Sequence, residues 1–119
     1  MCSFIGTNIL IEVNKYTKNR GPDKTNLRVH NGVTFIHNLL SITGDFKPQP
    51  LTSFGKDVFC VYNGEIYNYK DFGDYKSDGE CILPLYEEHG EKFSSYLDGE
   101  YAIAIIDFKK DLLILSTDT

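Results

Sequence analysis

Short runs of β-branched and aromatic residues, separated by tight-turn signals instead of helix-length spacers, do most to limit how this chain can fold. The clearest case is "LRV", then His30-Asn31-Gly32, then "VTFIHNLLSI". Asn-Gly supplies the positive φ angles of a tight hairpin turn, so the flanking runs are expected to pair antiparallel. Near the other end, "EYAIAIIDF", "KKD" and "LLILSTD" have the same form. "SFIGTNILIEV" (Ser3 to Val13) reads as a first strand and "VFCVYNG" as another, while "NKYTKNRGPDKTN" and "TGDFKPQPLTSFGKD" read as loops. Short connections between neighbouring strands imply an antiparallel sheet.

One segment breaks this rhythm. "SDGECILPLYEEHG" has helical spacing, with Ser77 or Asp78 as cap, Glu80 reaching back and Gly90 as stop. Pro84 inside it predicts a kink or a late start, because proline removes a helix hydrogen bond. "EKFSSYL" predicts a second short helix. The expected class is α+β. With 119 residues there is room for one core, so residues 1–119 are expected to form a single domain. Its last strand pattern runs to the terminus, which predicts an open sheet edge suited to a homo-oligomer.

Charge narrows the partners. A formal net charge of -5, with Arg20 and Arg28 as the only arginines, argues against nucleic acid. No apolar run reaches the roughly 20 residues that cross a bilayer, and the start lacks a signal-peptide pattern, so no membrane partner and a cytoplasmic location are expected. Cys2, Cys60 and Cys81 are odd in number and widely spaced, which gives neither a disulfide framework nor a zinc pattern. Cys60 and Cys81 read as small core residues, and His30, His37 and His89 as hydrogen-bonded structural residues. No metal and no cofactor are expected. Most tyrosines read as core filler with a polar tip, and Glu87, Glu88 and Glu91 as a solvated helix face.

Cys2 is chemically special. Once Met1 is removed, one residue holds both a thiol and a free α-amine whose reference pKa of about 7.7 to 8.0 makes it a usable base. Nucleophile and base would then sit together. Taken alone, Cys2 reads more simply as an ordinary second residue, and Asn63-Gly64, without the "EIYN" that follows, as an ordinary β-turn.

The ordered set "MCSFIG", "RGPD", "LLSI", "QPL", "YNGEIYNY", "SDGE" and "LDGEYAIAIID" resembles the class II glutamine amidotransferases, and most of all the glutaminase domain of the asparagine synthetases. That resemblance implies an N-terminal nucleophile hydrolase: an antiparallel sheet sandwich flanked by helices, here truncated. It implies that Cys2 attacks the side-chain amide of glutamine, forms a γ-glutamyl thioester and releases ammonia to a synthetase or transferase partner chain. Asn63 and the Gly64 N–H would be the oxyanion hole, whose donors are worth roughly 3 to 4 kcal/mol each. Asp78, Arg20 and Glu65 would stand on the substrate-binding side, with Asp78 taking the α-ammonium.

The sequence also departs from this pattern. Leu39 stands where the family carries an arginine that clamps the glutamine α-carboxylate, and a leucine cannot do so. Lys24, Arg28 and Lys47 are the candidate substitutes. The long helix before "RGPD" is replaced by a short connection, and no phosphate-binding glycine loop is present. The alternative function is therefore a catalytically weak amidotransferase-like binding or regulatory module.

Overall fold

The computed structural model describes residues 2–9, 14–40, 47–55 and 57–119. Two compact units divide the chain, Met1–Pro50 and Leu51–Thr119.

The first unit is a three-stranded antiparallel sheet of β1 (Ser3–Thr7), β2 (Lys24–His30) and β3 (Val33–Leu39), in the order β1-β3-β2. The hairpin forms as its sequence dictates: Asn31 and Gly32 turn with φ of 47° and 76°, and His30 pairs with Val33. The first strand is shorter than expected. It ends at Thr7, whose hydroxyl accepts from Ile9 N–H in a local turn, and positions 10–13 lie outside the described residues. The expected loop instead forms two 3₁₀ turns, Asn14–Tyr16 and Lys18–Arg20, and β2 starts earlier than "LRV". Parts of the "LLSI" and "TGDF" segments, 41–46, also lie outside the described residues.

Asn38 ties this unit together. Fully buried on β3, it donates to Ser3 Oγ at 3.1 Å and Asn14 Oδ1 at 2.7 Å, and accepts from Thr25 Oγ1 at 2.8 Å. Each such bond contributes about 1 kcal/mol net, and leaving a buried amide unpaired would cost more. Three strands and the first 3₁₀ turn thus share one polar anchor.

The second unit is a four-stranded antiparallel sheet, β4 (Leu51–Thr52), β5 (Val58–Ile66), β6 (Gly99–Asp107) and β7 (Leu112–Thr117), in the order β4-β5-β6-β7. A 3₁₀ turn at Asp78–Cys81 leads into helix α1 (Ile82–His89), followed by a 3₁₀ segment, Gly90–Tyr96. Cys60, Ile66, Ile103 and Ile105 from the sheet pack against Ile82, Leu85, Tyr86 and Phe93 in one core. Cys60 and Cys81 are fully buried, as small core residues should be. Burial raises both thiols, Cys81 to about 12, so neither is a nucleophile.

The helix starts late, as Pro84 predicts. Pro84 falls in the first turn, where backbone N–H groups have no partner within the helix. Gly90 stops it with φ of 61° and donates to Tyr86 O. The expected capping arrangement is corrected: Ser77 stands at the N-cap of the 3₁₀ turn and makes no side-chain cap, and the Asp78 carboxylate is engaged by β5.

Candidate active site

The first unit presents Cys2 immediately before β1. It is half-buried; its Sγ accepts from Leu40 N–H at 3.4 Å and donates to Leu40 O at 3.7 Å. The Asn38 anchor fixes the neighbouring Ser3, so the thiol is held at the end of β3. Leu39, the last residue of β3, is partly buried and brings no charge to that end. Arg20 is exposed at the end of the second 3₁₀ turn, with its N–H bonded to Thr17 O at 3.0 Å. Gly21 follows, buried against the Asn38 and Leu39 backbone, where a Cβ would collide with the Asn38 carbonyl.

His37 corrects the expectation for the histidines. It is fully buried on β3, yet among the described residues neither ring nitrogen has a hydrogen-bond partner. Burial lowers its pKa to about 4, so the ring is neutral.

In the second unit the Asn-Gly pair is not a turn. Asn63 and Gly64 lie inside β5, paired with Ala102 and Tyr101 of β6. Gly64 has φ of 142° and a Cβ there would run into the Glu100 carbonyl, so the position needs glycine for conformation and for space. Alternation along β5 sets Asn63, half-buried, on the face away from Cys60 and the α1 core. Glu65 is exposed one residue further on.

Asp78 is built in. Its Oδ1 accepts from Tyr62 OH and its Oδ2 from Ile66 N–H, both at 2.8 Å. Burial, and then the adjoining carboxylate, push the Tyr62 hydroxyl above the usual tyrosine range, so it remains a donor. Gly79 makes room for the Tyr62 ring. Both carboxylate oxygens keep lone pairs for a further donor. Asn68 closes the same end of β5, donating to Tyr96 O at 2.9 Å and accepting from Asp98 N–H at 3.0 Å. The roles of Tyr62 and Asn68 are not legible in the sequence, since they depend on contacts far along the chain. The polar-tip reading suits Tyr86, bonded to Asp107 at 2.8 Å, but Tyr67 and Tyr96 are exposed.

The glutamine amidotransferase domain model matches residues 1–119. The chain belongs to that family. Similar proteins include "Asparagine synthetase [glutamine-hydrolyzing] 1" of Saccharomyces cerevisiae, 33% identical over 117 residues, and "Asparagine synthetase [glutamine-hydrolyzing] 2" of Arabidopsis thaliana, 36% identical over 121 residues. The alignments cover 91% and 92% of this chain and 20% of each relative, so the chain spans about a fifth of their length. Among the described residues no group of His, Cys, Asp and Glu could hold a metal ion, and no helix is long and apolar enough to cross a membrane.

Proposed function

We propose that this chain is a glutaminase domain that hydrolyses glutamine to glutamate and ammonia for an asparagine synthetase-like partner. The observation that carries this is Asn63-Gly64 held in a strand at a position only glycine can fill, in a family member that also has Cys2. Removal of Met1 frees the Cys2 α-amine. The amine takes the thiol proton as sulfur attacks the amide carbon, then passes it to the departing nitrogen, which leaves as ammonia. Water, deprotonated by the same amine, releases glutamate from the thioester. Asn63 Nδ2 and Gly64 N–H stabilise the oxyanion, and Asp78 takes the substrate ammonium beside its two existing donors. Arg20 and Glu65 complete the substrate side.

On this proposal residues 1–119 are one domain, and the protein works in the cytoplasm without cofactor, nucleic acid or membrane. Its net charge of -5 supports the exclusion of nucleic acid. Copies associate through the open β7 edge, where Leu113 and Leu115 are exposed. Leu39 favours a second reading, a weak amidotransferase-like binding module, because it brings no cation to the Cys2 end of β3. Glutamate release from glutamine separates the two. The Met1-free chain should release glutamate and Cys2→Ala should not; a folded, Met1-free chain without activity would leave the binding module.

A further inference from the structure

Helix α1 borders a groove of about 260 Å³ that lies within the second unit. Three stretches of chain build it: Phe72 and Tyr75 after a 3₁₀ turn at Tyr69–Asp71, Leu85, Glu88 and His89 on α1, and Tyr96 at the end of the following 3₁₀ segment. Leu85 is buried, while Glu88 and Tyr96 are exposed. The aromatic lining is held in place. The His89 ring stacks on Tyr96, with centroids 4.0 Å apart and planes 20° from parallel, and Tyr96 O accepts from Asn68 Nδ2 at 2.9 Å. Rings fixed in this way lose little freedom when a ligand arrives.

Size and charge decide what the groove can hold. Its volume falls below the roughly 300–1,000 Å³ of small-molecule pockets and suits a single side chain. The lining has four rings and one carboxylate, with no lysine or arginine. Among the described residues Glu88 has no lysine or arginine within ion-pair distance, and its charged neighbour is His89 Nε2 at 3.7 Å. Aromatic faces attract cations, and a flat guanidinium lies on a ring while its N–H groups reach a carboxylate, which an ammonium does less well. Glu87 and Glu91 are exposed on either side of Glu88 and His89 in the sequence. Their charge favours a basic segment over a free amino acid, whose own carboxylate they would repel.

We propose that this groove is a docking site for an arginine side chain in an exposed basic segment of a partner protein, with the guanidinium against the aromatic lining and its N–H fork on Glu88. The site goes beyond the glutaminase proposal and does not rest on it. Asn63 lies on the face of β5 away from the α1 core, so a partner seated in the groove leaves that residue uncovered.

The test is an NMR titration of the ¹⁵N-labelled chain with acetyl-Gly-Arg-Gly-amide, with the same peptide carrying citrulline, and with free L-arginine. The arginine peptide should shift the amide signals of Phe72, Tyr75, Glu88, His89 and Tyr96. Citrulline keeps the shape and removes the charge, and its peptide should bind about fivefold more weakly; free arginine should also bind more weakly than the arginine peptide. Glu88→Gln and Tyr96→Leu, both at exposed positions, should each weaken the arginine peptide about three- to fivefold, and Glu88→Gln should leave the citrulline peptide unchanged. Equal binding of the two peptides, full affinity in either folded variant, free arginine binding as tightly as the peptide, or no shift at these five residues would each overturn the docking site.

Discussion

Gly64 stands at φ of 142° with the Glu100 carbonyl where a Cβ would be. Gly64→Ala therefore has to move β5 against β6, and should cost at least about 2 kcal/mol in a urea unfolding measurement. A change under about 0.5 kcal/mol would mean that the close approach is absent. His37 predicts a pH dependence. Its pKa falls from 6.5 to about 4 on burial, so below 6.5 the unfolded chain binds a proton that the folded chain refuses. Its contribution is thus a loss of stability as pH falls from 6.5, approaching about 3 kcal/mol near pH 4 and levelling off below. His37→Leu should flatten that part of the stability profile; an unchanged slope would contradict the assignment. Cys2 was chemically suggestive in the sequence because a terminal thiol needs only its own amine. The isolation of His37 was not, because a missing partner cannot be read from one residue.

Element by element, legibility followed how local each signal is. The Asn31-Gly32 hairpin was readable because its conformational demand sits in two residues. Asn63-Gly64 carries the same letters but lies within a nine-residue strand, where cross-strand pairing with β6 overrides the turn signal. The end of α1 at Gly90 and its late start at Pro84 were likewise local. Neither Ser77 nor Asp78, the two cap candidates, caps with its side chain; the Asp78 carboxylate is held by Tyr62 and Ile66, 16 and 12 residues away, which no local pattern foretells. β7 is the edge strand of its sheet, with Leu113 and Leu115 60% and 72% exposed on one face. Leu115→Glu should weaken self-association at least about tenfold in sedimentation velocity, since burying one leucine is worth about 2 kcal/mol. Equal association in parent and variant would rule out the β7 edge as the contact.

At the scale of the whole molecule, the chain divides into two compact units, with Cys2 in the first and Asn63, Gly64 and Asp78 in the second. If residues 1–119 form one domain, calorimetry should show one cooperative transition whose calorimetric and van't Hoff enthalpies agree. Two separate transitions would make the units independent. The central claim is that Cys2 carries a covalent intermediate, and its most direct test is acid-quenched mass spectrometry of the Met1-free chain mixed with glutamine. The proposal predicts a γ-glutamyl adduct confined to the peptide containing Cys2, absent in Cys2→Ala and depleted in Asn63→Ala. An unmodified Cys2 in a chain that releases glutamate, or an adduct on Cys60 or Cys81, would contradict it.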